Sequence, residues 1–181
     1  HTKGYFFKYG TPQGKRALLD AIGFPFKLTW QRIIDKITSV LNADKNYVTF
    51  NYLGNGDIRN KFHTIENYLY HLNNNTIDYE MIGDIISIPK IISPNGVNVY
   101  IFNKKITIIK TTLEKEKMRE DFFITCQNPE STSSLTDPKR DNLFIIREGK
   151  YYYPIVLAIK ENVNSIEVHN INIFKDENSN D

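Results

Sequence analysis

Between Leu18 and Ile86 the apolar residues recur mostly at helical spacing, and from Val97 onward they come in short runs and alternations. Pro12 to Ile22 reads as a short helix, with Pro12 in its first turn and Leu18, Ala21 and Ile22 on one face. Ala17 lies beside that face, and Gly23-Phe24-Pro25 stops the helix. Thr29 is an N-cap for a second helix reaching Leu41, in which Trp30, Ile33, Ile34, Ile37, Val40 and Leu41 repeat with the helical period. Tyr47 to Leu53 reads as a strand from its composition, and Gly54-Asn55-Gly56-Asp57 as a turn. Thr64 caps a helix carrying Ile65, Tyr68, Leu69 and Leu72. Asp78 caps another carrying Met81, Ile82, Ile85 and Ile86, where its charge suits the helix dipole, and Pro89 ends that run.

The second half reads as β. Val97 to Phe102 is a strand after the Pro94-Asn95-Gly96 turn, and Lys105 to Lys110 pairs with it through Asn103-Lys104. Asp121 to Cys126, Asn142 to Arg147, Tyr151 to Ile159 and Ile166 to Phe174 are further strands. A polar loop, QNPESTSSLTDPK, follows Cys126, and Glu148-Gly149-Lys150 makes a hairpin. Helices first and mostly antiparallel strands afterwards give an α+β class, with N-terminal helices packed on the sheet. Strict βαβ alternation is missing, which disfavours a dinucleotide-binding fold. Residues 1–174 form one domain and 175–181 a polar tail.

Composition changes this picture little. The 181 residues are 40% hydrophobic and 13% aromatic, enough to bury one core. No apolar run is long enough to span a bilayer, so a soluble protein without a membrane partner is expected. The chain opens on His1 and reads as a fragment or a processed product. Heavy use of Asn, Lys, Ile, Tyr and Phe points to an AT-rich genome. Net charge is +2, yet residues 1–62 carry +6 and residues 63–181 carry −4. The basic third, Lys8, Lys15, Arg16, Lys27, Arg32 and Lys36 interleaved with Tyr5, Phe6, Tyr9 and Trp30, is a candidate nucleic-acid surface; the competing reading is solvated helix faces and core aromatics.

Candidate chemistry is sparse. Gly10-Thr11-Pro12-Gln13-Gly14-Lys15 lacks the spacing of a phosphate loop, and no Ser or Thr follows Lys15. His63 and His71 lie about two helical turns apart, too far to chelate one ion. No metal and no cofactor are expected. Cys126 is the one thiol, so no disulfide framework exists within the chain, and a reducing compartment fits. With no His near it in sequence, Cys126 reads first as a small buried hydrophobe and second as a nucleophile.

The ordered motifs GYFFKYG, PQGKRALLDAI, IENYLYHLNNNTIDYEMIGDIISIPKIISPNGVNVYIF and FFITCQNP…DNLFIIREGKYYYPIVLAI resemble a segment found in large proteins of nucleocytoplasmic large DNA viruses. The likeness runs from Gly4 to Ile159. It departs where Gly83 stands in place of Trp, where Gln127 replaces Pro, and where Tyr153-Pro154 lacks a Glu. The resemblance implies virion or early-transcription roles. The layout also resembles, more faintly, an OTU-type cysteine protease. On that frame KRALLDAI puts Ala17 at the nucleophile and YYYPI puts Tyr151 at the base, so both positions are degenerate. A methyl group cannot attack a carbonyl, and a phenol with a pKa of about 10 is a poor base at neutral pH.

Three functions are therefore expected in competition. The first is a non-catalytic binding or scaffolding domain of a larger viral protein, with other viral proteins or parent-chain domains as partners, in host cytoplasm or virion. The second is an OTU-type cysteine hydrolase, a deubiquitinase, that uses Cys126 with His63, His71 or His169 brought up by the fold; ubiquitin is a partner only in this reading. The third is a nucleic-acid-binding module on the basic N-terminal third.

Overall fold

The computed structural model describes residues 4–110, 116–127, 139–162 and 165–169. Its class is α+β, a helical layer on a mixed sheet. The strands are β1 (Gly4–Lys8), β2 (Val97–Lys110), β3 (Glu116–Gln127), β4 (Asp141–Glu148), β5 (Tyr151–Asn162) and β6 (Ser165–His169). The order is β1-β5-β4-β2-β3, and β6 also pairs with β5. All pairings are antiparallel except β2 with β4, which lies on the edge of β2 away from β3. The helices are α1 (Ala17–Gly23), α2 (Trp30–Ala43), α3 (Val48–Tyr52), α4 (Asp57–Phe62), α5 (Ile65–Asn74) and α6 (Tyr79–Ser87).

The capping residues act as their sequence positions predict. Thr29 and Thr64 accept from the backbone N–H three residues on, and Asp78 accepts from Tyr79 N–H. Three predicted elements are corrected and one strand is added. Tyr47–Leu53 is not a strand: the Asp44 carboxylate accepts from the N–H groups of Val48, Thr49 and Phe50 at 3.0, 2.6 and 3.3 Å and starts α3. A carboxylate satisfying three orphan donors outweighs the β propensity of Tyr, Val, Thr and Phe. The first helix begins at Ala17 rather than Pro12. Ahead of it, Gln13 behaves like a strand partner, its amide donating to Tyr152 O at 3.0 Å and accepting from Tyr152 N–H at 3.3 Å. The hairpin expected at Asn103-Lys104 is absent, because both residues are extended and paired with Phe123 and Phe122; β2 runs through as one strand. Gly4–Lys8, unassigned from sequence, pairs with Ile155–Ile159. The predicted strand to Phe174 is seen as far as His169; its last residues, the polar loop at 128–138 and the tail lie outside the described residues.

Alternation along the strands sets the two faces of the sheet. Val99, Ile101, Leu143, Ile145 and Tyr152 face the helices and join one core with Leu18, Ile22, Ile37, Tyr68, Leu72 and Ile85. Each such side chain contributes about 1.5–3 kcal/mol by leaving water. Tyr100 and Phe144 point the other way, with ring centroids stacked 4.8 Å apart and Phe102, Ile155 and Leu157 packed around them.

The helical layer meets the sheet at a tight corner. Gly96, at φ +84°, turns the chain from α6 into β2; a Cβ there would sit 2.4 Å from Ser87 O and 3.3 Å from Pro89 N. Ser93 Oγ donates to Gly96 O at 2.7 Å and buried Arg140 donates to Ser87 O at 2.9 Å, so the backbone cannot yield cheaply. Gly96→Ala is expected to destabilise the fold by about 3 kcal/mol or more, from strain plus clash. Chemical denaturation checks this, with Gly149→Ala as the strained but uncrowded control.

Candidate functional site

Ala17 and Tyr151, the two positions that the protease resemblance singles out, lie in different environments. Ala17 opens α1 and is 3% exposed, its methyl inside the core. Tyr151 starts β5 and is exposed. The chain around them is tied together through the neighbouring Tyr152. Besides the Gln13 bonds, Thr11 Oγ donates to Tyr152 O at 3.3 Å, so the segment before α1 is fixed beside the start of β5.

Tyr152 also reaches the helical layer. Its hydroxyl donates to Asp78 Oδ1 at 2.7 Å, while Arg147 holds Asp78 Oδ2 at 3.1 Å and lies 3.8 Å from Glu80. Burial pushes the Asp78 carboxyl up, but the hydrogen bonds from Tyr152, Glu80 and Tyr79 N–H, with the charge of Arg147, hold it below the usual carboxylate range. Burial and the shared hydrogen bond with Asp78 raise Glu80. Burial, then the bond to Asp78, also keeps the Tyr152 phenol far above its ordinary value, so it acts as a fixed donor. This arrangement clamps the start of α6 onto the β4–β5 hairpin.

Cys126 and the three candidate histidines stand on different parts of the chain. Cys126 lies inside the twelve-residue β3, opposite Tyr100, rather than at a helix N-terminus. His169 is on β6 beside β5, and β4 and β2 stand between β5 and β3. His63 follows α4. His71, in the last turn of α5, packs on Phe62 and bonds Asn75 Nδ2 at 2.7 Å. Burial, then the charge of Lys61, lowers the His71 pKa. Among the described residues, no group of three or more His, Cys, Asp or Glu could hold a metal.

Of the six basic candidates, two have partners among the described residues. Lys8 pairs with Glu148 at 3.0 Å and lies over the Tyr153 ring. Arg16 donates to the carbonyls of Leu72 at 2.7 Å and Asn75 at 3.0 Å, and to that of Asn73, and lies over Trp30. It therefore satisfies the orphan carbonyls at the end of α5. Lys15, Lys27 and Arg32 are exposed and Lys36 is half-buried, on the segment before α1, the turn after Phe26, and α2.

The most distinctive surface went unread in the sequence. Beyond Asn103, β2 leaves β4 and, among the described residues, continues paired with β3 alone, a two-stranded arm. Ile106 and Ile108 alternate onto one face, Met118 stands opposite Ile108, and Phe122 opposite Lys104. Ile108 is 59% and Met118 68% exposed, and Ile106, Phe122 and Phe123 are exposed as well. A ribbon of two strands is marginal alone in water, and clustered exposed apolar side chains mark interaction surfaces. The signal in sequence was the length of the two apolar alternations, longer than the sheet behind them can use.

No family model matches the chain. It is 44% identical over 168 residues to an uncharacterised protein of Acanthamoeba polyphaga mimivirus. The chain is similar to a segment of a giant-virus protein. The match takes in 92% of this chain and 11% of that relative, so the chain spans about a tenth of the relative's length. This identity supports a giant-virus origin, the setting the ordered motifs implied.

Tyr152→Phe is expected to cost about 1–2 kcal/mol by leaving Asp78 without its hydroxyl donor. Asp78→Asn keeps the cap and removes the charge. Because the folded-state pKa of Asp78 is depressed, the stability that its charge adds is complete above about pH 4 and is lost as pH falls through the lowered value. The gap between wild type and Asp78→Asn in urea melts should therefore be flat near neutrality and close only in acid. Arg16→Ala should cost about 1–2 kcal/mol by uncapping α5, whereas Arg32→Ala should stay within about 0.5 kcal/mol.

Proposed function

We propose that this chain is a non-catalytic binding and scaffolding domain within a larger viral protein, and that the β2–β3 arm is its docking surface. The observation that carries the reading is the row Ile106, Ile108, Met118 and Phe122, exposed on a ribbon that has no helix and no third strand against this row among the described residues. Such a row is stabilised when another surface covers it. Its occupants under this proposal are other viral proteins or domains of the parent chain, and virion or early-transcription machinery is the setting that the sequence resemblance implies.

The frame is OTU-like in this proposal, with its chemistry absent. The tie between Gln13 and Tyr152 supports it, because it brings the segment leading to Ala17 alongside Tyr151. The buried methyl of Ala17 supports the non-catalytic half. The fate of Cys126 is the counter-test: the purified chain should neither cleave ubiquitin chains nor take up a ubiquitin-derived thiol-reactive probe. Cleavage, or an adduct at Cys126, overturns the non-catalytic assignment.

A photo-crosslinking side chain placed at Ile108 or Phe122 should capture viral protein during infection, and one at exposed Lys45 should not. Equal capture at all three positions, or none at the arm, removes the arm from the proposal. Ile108→Lys combined with Met118→Lys should abolish capture while leaving the melting temperature of the body unchanged, since neither side chain enters the core.

A further inference from the structure

A pocket of about 250 Å³ opens among α3, α4 and α5, remote from the arm in the chain. Its apolar lining includes Phe50 and Ile65, both buried, and Tyr47, 54% exposed. Arg59, Glu66 and Asn51 line it too. None of these three side chains has a hydrogen bond or ion pair among the described residues. The lining is mixed, with Tyr47, Phe50 and Ile65 beside Asn51, Arg59, His63, Thr64 and Glu66, and the volume, just below that of drug-sized pockets, suits a single ring system.

The backbone around the pocket is held in expensive conformations. His63, on the lining, sits at φ 63° and ψ −39° and centres a γ-turn in which Thr64 N–H donates to Phe62 O at 2.7 Å. Tyr47 is also left-handed, at φ 54°. Two non-glycine residues at positive φ therefore border one concavity, and such strain persists where the surrounding structure over-determines it.

The charge pattern narrows the ligand. A simple carboxylate or phosphate would suit Arg59 and meet Glu66 as a like charge. An ammonium group would do the reverse, and a plain apolar ring would strip water from both ions without replacing it. The complement is a planar ring with acceptors on one edge and donors on another. We propose that this pocket binds a single unpaired guanine base. Its O6 and N7 accept from the Arg59 fork, its N1–H and N2–H donate to the Glu66 carboxylate, and its face lies against Tyr47 and Phe50. Adenine lacks N1–H and would turn a lone pair toward Glu66. The base comes from a free nucleotide or from a single strand, and the chemistry recognised is the same.

Titration of the ¹⁵N-labelled chain with guanosine monophosphate tests this by amide shift changes. The amides of Phe50, Asn51 and residues 63–66 should move saturably, and adenosine monophosphate should bind at least about tenfold more weakly, the discrimination of one bidentate pair. Glu66→Gln and Arg59→Ala, both on exposed side chains, should each weaken guanosine monophosphate about tenfold with the melting temperature unchanged. No saturable shift, equal binding of the two nucleotides, or equal shifts from ribose 5-phosphate overturns the proposal. A single-stranded oligothymidine bearing one guanine then identifies the source. Tighter binding than the mononucleotide assigns the base to a strand, and equal or weaker binding assigns it to a free nucleotide.

Discussion

Tyr152 carries its hydroxyl from the sheet across to Asp78 at the start of α6, and the position of the helical layer depends on that reach. The ring is 4% exposed and belongs to the main core, while its backbone N–H and C=O are both held by Gln13. One residue thus joins the segment before α1, the strand β5 and the cap of α6. A buried phenol is favourable only when its oxygen finds a partner, so the carboxylate favours the closed core by the cost of an unmet hydroxyl, about 1–3 kcal/mol. Arg147 then neutralises that carboxylate from the adjoining strand. The same few groups fix register as well as docking, because Arg147 lies opposite Tyr152 on the β4–β5 ladder. A slip of one residue would turn both away.

Helical periodicity made α2, α5 and α6 legible, since each buries a continuous stripe and each is capped by the Thr or Asp that precedes it. The α+β class followed from the order of those stripes and the strands. What escaped was decided by single long-range or local polar contacts. The helix α3 hangs on the Asp44 carboxylate, three residues outside a stretch whose own propensity is for strand. The displaced start of α1 hangs on Gln13 meeting a backbone partner 139 residues away. Neither contact leaves a periodic trace. The strand β1 was illegible for a related reason: five residues on a sheet edge, with Tyr5 and Phe6 mostly exposed, show no burial pattern of their own.

Candidate sites were less legible than the fold. Arg16 stood in a basic cluster by composition, yet three carbonyls at the end of α5 and the Trp30 ring surround its guanidinium. Lys8 is likewise drawn onto Glu148 and Tyr153. Counting charge along a chain cannot separate a cation that caps a helix from one that faces solvent. The arm was missed because alternation reads the same whether a strand lies within a sheet or runs past its edge. The pocket between α3 and α5 was missed because the sequence reads α3 as a strand and leaves all of α4 but Asp57 unassigned.

The body and the arm follow opposite physical rules within one sheet. Up to Asn103 every inward residue of β2 is covered by helices and every outward ring has a neighbour, as Tyr100 has Phe144. Past that point the same alternation continues, but nothing in the described fold lies over Ile106 and Ile108. Folding alone gives no reason to place Ile, Ile, Met and Phe there, because polar residues would hold the ribbon's hydrogen bonds equally well and keep it soluble. The β3 strand bears the mark of a managed edge: Glu116, Lys117, Arg119, Glu120 and Asp121 are interleaved with Met118 and Phe122. Charges on an exposed strand discourage another strand from pairing along it. Exposed apolar residues that destabilise the free state accord with the docking surface proposed above.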